Sequence, residues 1–175
     1  YFAVWTLLAR YFNRNSRAQD ESGDAALTVK MERFAPVAIF FWALTATFFA
    51  FDFLMSLDPH WFSTIFGVYF FAGSVMAFFA AMIVLLRLLQ ASGMLDKSVS
   101  VEHYHDLGKF LFGFVFFWGY IAFSQYMLIW YANMPETTGW YALRGITTVP
   151  ADMNAWTCVG ILLLVGHFIL PFAGL

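Results

Sequence analysis

Four predominantly apolar stretches, each about twenty residues or longer, constrain this chain more than any other feature: Phe34–Leu54, Ser63–Leu89, Leu107–Tyr131 and Ala155–Leu175. A helix rises about 1.5 Å per residue, so about 20 residues cross a hydrocarbon layer about 30 Å thick. Lipid offers no hydrogen-bonding partner to a free N–H or C=O, so stretches of this length must be helices. No series of ten-residue segments alternates with period two, which argues against an outer-membrane barrel. A fifth apolar run, Tyr1–Phe12, is too short to cross. With 62% hydrophobic and 11% charged residues among 175, the composition is far from that of a water-soluble domain. The expected fold is all-α, a polytopic transmembrane helical bundle forming one domain, with about five spans counting the partial first one.

The sequence begins at Tyr1, and Tyr1–Phe12 has neither a basic leader nor a small-residue cleavage site, so a signal peptide is not expected. Pro171–Leu175 ends without a polar flank, and both ends are read as truncations. Cys158 stands alone, which leaves neither a disulfide within the chain nor a cysteine-ligated cluster. The net charge of −2 gives no footprint for nucleic acid.

Orientation is read from the basic residues. Arg10, Arg14, Arg17, Lys30, Arg33, Arg87, Lys97 and Lys109 all fall in or beside the linkers 13–33 and 90–106, whereas Arg144 alone falls opposite. Basic residues mark the cytoplasmic side, so those linkers are expected there, and linkers 55–62 and 132–154 on the periplasmic side of a bacterial inner membrane. The outer side also carries Trp61, Trp130, Tyr131, Trp140, Tyr141 and Trp156, the rings of an interfacial belt. Gly73, Ala77 and Ala81 fall at i, i+4 and i+8, a small-residue seam that predicts close helix approach.

Ionisable groups inside a membrane helix are costly and therefore candidates for function. Asp52 lies near the outer end of its span; it serves either proton transfer near a quinone headgroup or merely reaches the interface. His167 lies about 12 residues into the last span, roughly 18 Å from its outer end, and so close to the midplane. One interhelical hydrogen bond would satisfy it; a proton relay is the other reading. Pro171, four residues on, deprives the His167 carbonyl of its usual donor. Asp58-Pro59-His60-Trp61 is either an acid–imidazole pair open to the periplasm or simply an aspartate-initiated turn. On the inner side His105 and Asp106 offer a proton entrance, with Asp106 fitting a helix N-cap; the spacing of His103 and His105 matches no strong zinc pattern. Ser124-Gln125-Tyr126 puts hydrogen-bonding side chains within the outer half of its span. With its other histidines in linkers, the chain is not expected to ligate haem.

Three strings carry a resemblance: Asp58-Pro59-His60-Trp61-Phe62-Ser63-Thr64-Ile65-Phe66-Gly67-Val68-Tyr69-Phe70, His105-Asp106-Leu107-Gly108-Lys109, and Phe123-Ser124-Gln125-Tyr126-Met127-Leu128-Ile129-Trp130-Tyr131-Ala132-Asn133-Met134-Pro135-Glu136. They resemble the ActF-type membrane subunit, called quinone-binding, of bacterial alternative complex III, a quinol:cytochrome c oxidoreductase. That family is related to the polysulphide-reductase-type membrane subunits. The resemblance runs from about Glu32 to the end. It implies a subunit of about ten helices in two four-helix bundles plus a pair, of which this chain is about half. It implies no cofactor bound by the chain itself, quinone or quinol as a ligand, and haem c and iron–sulfur clusters in partner subunits. The implied partners are a homologous membrane subunit that is the better candidate for the working quinol site, an iron–sulfur protein and c-type cytochromes. Quinol or proton handling by Asp52, Asp58, His60, Gln125, Tyr126, His167, His105 and Asp106 is the function expected. Two other readings stay open. One is a secondary transporter, suggested by Asp52, His167 and an echo of Phe40-Phe41-Trp42 in Phe116-Phe117-Trp118. The other is a purely structural scaffold.

Overall fold

The computed structural model describes residues 1–95, 98–146 and 154–174, and among these it contains helices and no strands. The elements in chain order are α1 (Phe2–Ser22), α2 (Ala25–Phe49), a π-helical segment (Ala50–Leu54) with a 3₁₀ turn (Met55–Leu57), α3 (Phe66–Ala91), α4 (Val101–Ala132), α5 (Pro135–Ala142), α6 (Ala155–Leu162), a second π-helical segment (Leu163–Ile169) and α7 (Leu170–Gly174). Four helical runs, Ala25–Leu57, Phe66–Ala91, Val101–Ala132 and Ala155–Gly174, are long and apolar enough to cross a membrane. The chain is an all-α membrane protein that forms two compact units, Tyr1–Leu57 and Asp58–Leu175.

The first unit is a helical hairpin. The polar stretch 13–33, expected as a linker, is almost wholly helical and turns only at Gly23 and Asp24. Gly23 adopts φ 67°, the left-handed conformation that ends a helix at low cost for glycine, and its N–H returns to the Gln19 carbonyl. Asp24 then caps α2, its carboxylate accepting from the Ala26 N–H at 2.8 Å. With both ends capped, the helices extend beyond the apolar run. They are joined by the Trp5 indole donating to Thr45 Oγ1 at 2.9 Å, the Gln19 carboxamide donating to Thr28 Oγ1 at 2.6 Å, and the Tyr11 and Phe34 rings at 4.5 Å.

The second unit is built on α3 against α4. Its core is Ala72 and Met76 from α3 with Leu111, Val115 and Trp118 from α4. The small-residue seam falls one position away from this contact: Gly73 meets Trp118, but Ala77 and Ala81 face outward. The row Ala72, Met76, Phe79 and Ile83, at i, i+4, i+7 and i+11, fills the contact instead, mostly with larger side chains. α4 also starts earlier than expected, at Val101. Ser100 is its N-cap, and His103 Nδ1 accepts from the Ser100 N–H at 3.1 Å. Asp106 is therefore not the cap; it lies in the second turn, where it pairs with Lys109 at 3.1 Å on an exposed face. Gln90 ties the α3–α4 connection, donating to the Val99 carbonyl and accepting from the Tyr104 hydroxyl. The π segment Leu163–Ile169 and α7 pack on α4 through Phe168 and Phe172. Large exposed apolar side chains such as Phe40, Phe116 and Leu162 are consistent with lipid as the solvent of both units.

Candidate functional site: a polar thread in the second unit

The chemistry-bearing residues of the second unit are linked by aromatic rings. His167 sits in the π segment Leu163–Ile169, where the Leu170 N–H reaches back five residues to the Val165 carbonyl. Such widening is common where a helix carries a functional group, and here it precedes Pro171, which has no N–H to donate. The imidazole packs edge-on against Trp118, with centroids 4.5 Å apart and planes at 77°. Trp118 is 6% exposed and lies 5.5 Å from the ring of Tyr69.

From Tyr69 the ring contacts continue to Phe66 at 6.3 Å, from Phe66 to Trp61 at 5.7 Å, and from Trp61 through Trp140 to Tyr141. Tyr141 also touches the ring of Tyr126, the residue after Gln125 in α4, at 5.4 Å. Burial, reinforced by Tyr69, pushes the Tyr141 hydroxyl up to about 12, so it stays a neutral donor at physiological pH. Gln125 and Trp118 are seven residues apart, two turns along one face of α4, which explains why a single helix serves both ends of the thread.

Two buried polar atoms beside this thread have no hydrogen-bond partner among the described residues: the Gln125 carboxamide oxygen and the Trp61 indole N–H. Gln125 is 6% exposed and Trp61 5%. Trp61 stacks on Trp140 at 4.7 Å, and Trp140 abuts Tyr141 at 5.0 Å, so the orphan donor lies against the rings of α5. A buried acceptor without a partner costs about 1–3 kcal/mol, which marks the position as one reserved for water or ligand. Arg144 closes this end. Its guanidinium lies 3.5 Å over Trp140, donates to the Trp140 carbonyl at 2.8 Å and faces Trp156 at 5.6 Å. Desolvation lowers the Arg144 pKa, while Asp58 and then Tyr141 act in the opposite sense.

The remaining candidates are placed as follows. Asp58 closes a turn, accepting from the His60 N–H at 3.3 Å through Oδ1 and from the Trp61 N–H at 3.2 Å through its carbonyl. The turn positions Trp61, and His60 is exposed at its tip. His105 and Asp106 are exposed near the start of α4, twenty and nineteen residues before Gln125, about 30 Å away along the helix and so outside this site. Asp52 belongs to the first unit. It is exposed in the π segment Ala50–Leu54 and accepts a hydrogen bond from the Tyr1 hydroxyl.

The sequence reading missed Tyr69 and Trp118 as parts of a site, and treated Trp61, Tyr141 and Arg144 only as belt and charge markers. The Trp118–Gln125 spacing was a usable signal, since it puts both on one helix face. Nothing in the spacing of Tyr69 or Tyr141 shows that ring contacts join them. No protein-family model matches the chain, and no curated protein matches it significantly.

Proposed function

We propose that this chain is a membrane subunit of a respiratory quinol:cytochrome c oxidoreductase of the alternative complex III type, binding no redox centre itself and handling quinol or its protons. The observation that carries this reading is the Gln125 carboxamide oxygen, buried without a partner among the described residues, two turns along α4 from the Trp118 ring that packs on His167. In this reading the Gln125 oxygen accepts from a quinol hydroxyl, or from the water that carries its proton away. His167 supplies an imidazole that can take and release a proton near the midplane. The electrons leave to c-type haem and iron–sulfur centres in partner subunits. Asp58 and His60 serve proton exit at the surface, with the outer side of the bilayer assigned from the basic residues.

Purification of the assembly that contains this chain, in mild detergent, tests the reading. A c-type haem spectrum should copurify. Within that assembly Gln125→Leu should lower quinol-driven cytochrome c reduction by about tenfold, the worth of one hydrogen bond to a reacting group. His167→Ala should lower the protons released per electron while leaving the complex assembled. An intact, haem-free assembly would sink the respiratory assignment. Full turnover and coupling in both variants would reduce the chain to a scaffold.

A further inference from the structure

One face of α1 carries Arg10, Arg14 and Arg17 at i, i+4 and i+7, all exposed. They line a shallow groove of about 890 Å³ together with Thr6, Ala9, Asn13, Ala18 and Glu21. The opposite face of the helix, bearing Trp5, Tyr11 and Gln19, is the one that packs on α2. Among the described residues none of the three guanidiniums has a carboxylate within ion-pair distance. Like charges one turn apart repel and destabilise a helix, so an uncompensated row of three is a cost that an anion would remove.

The level of the row identifies the anion. Tyr11, next to Arg10, packs on Phe34, the residue at which the apolar run of α2 begins. The row rises about 10 Å from Arg10 to Arg17. It therefore straddles the edge of the hydrocarbon and crosses the headgroup layer, which adds about 5–8 Å on each side of the bilayer. Glu21 follows Arg17 by one turn at the aqueous end, so the repelling carboxylate stands farthest from the lipid. Ala9 and Ala18 leave the space between the arginines open to a ligand as wide as a phospholipid headgroup. We infer that this groove binds the phosphate of an anionic phospholipid, with Arg10 and Arg14 as its principal contacts and Arg17 reaching in from the aqueous side.

The test is lipid retention by the intact assembly containing the full chain, equilibrated with phosphatidylglycerol or phosphatidylcholine and analysed by native mass spectrometry. Phosphatidylglycerol should be retained in preference, and raised salt should release it. Each basic side chain near an anionic surface is worth roughly fivefold, so R10Q/R14Q/R17Q should bind on the order of a hundredfold more weakly. R10K/R14K/R17K should retain most of the preference, because the charge remains. Should the triple glutamine variant fail to assemble, Arg14→Gln alone should show the roughly fivefold loss. Equal retention of the two lipids, or undiminished retention by the glutamine variants, would overturn the proposal. So would an acidic protein segment cross-linked to Arg14 in place of lipid.

Discussion

At the scale of single residues, the second unit keeps neutral polar groups where charge would be expensive. Tyr141 shows the consequence most directly. Its hydroxyl is raised to about 12, by burial first and by Tyr69 second, while a phenol in an unfolded chain titrates near 10. The folded state therefore favours the protonated form. That contribution to stability is complete below about pH 10 and is lost as pH climbs toward about 12. Thermal unfolding of the detergent-solubilised protein at about pH 9 and about pH 11 should show wild type losing more stability than Tyr141→Phe, which has no phenol to ionise at this position. Equal losses would mean that the Tyr141 hydroxyl is solvated in the folded protein. The same neutrality fits the neighbouring Gln125, whose carboxamide needs a partner yet carries no charge to bury.

At the scale of elements, the glycines show which helix contacts are tight. A Cβ on Gly119 would lie 2.3 Å from Phe168 Cε2, a ring held one residue after His167. Gly119→Ala should therefore push Phe168 and the π segment away from α4, at a cost of about 1–3 kcal/mol. Adding Phe168→Leu, whose side chain is shorter, should restore part of the loss. Gly73→Ala, meeting Trp118 at 3.4 Å, should be nearly neutral by comparison. Denaturation midpoints of the four proteins decide this, and an unperturbed Gly119→Ala would show that the π segment does not rest on α4 there. The four long helices were legible in the sequence because a run of about 20 apolar residues admits no other structure in lipid. Their ends were not, because hydropathy marks the membrane boundary while Asp24 and Ser100 cap the helices beyond it. The seam was misplaced by one residue because small size permits close approach without showing which row of side chains the neighbour will occupy. In the site, Gln125 and His167 stood out as polar residues in apolar helices. Tyr69, Trp118 and Tyr141 connect them through contacts between α3, α4, α5 and the π segment, which no spacing within one helix encodes.

At the scale of the molecule, the distribution of basic residues makes a prediction about sidedness that is independent of the site. Eight of nine Lys and Arg residues lie in or beside the segments 13–33 and 90–106, and Arg144 alone lies in the segment 132–154. Asp96, Lys97 and residues 147–153 of those segments are outside the described residues, but the bias rests on charge and span count, and each span reverses the side. Single cysteines in a Cys158→Ser background would read it directly. Ser22→Cys and Ser98→Cys, both at exposed positions, should react with an impermeant maleimide only from the cytoplasmic face. His60→Cys and Glu136→Cys, likewise exposed, should react only from the opposite face. The inverse pattern would turn the polar thread around, placing Gln125 and Arg144 on the cytoplasmic side. Electron delivery to periplasmic c-type cytochromes would then have no counterpart in the position of the site, and the respiratory reading would fail on geometry alone. Labelling of Ser22→Cys and His60→Cys from the same face would be more damaging still. It would remove the span Ala25–Leu57 from the membrane and, with it, the headgroup level that assigns the arginine row of α1 to lipid.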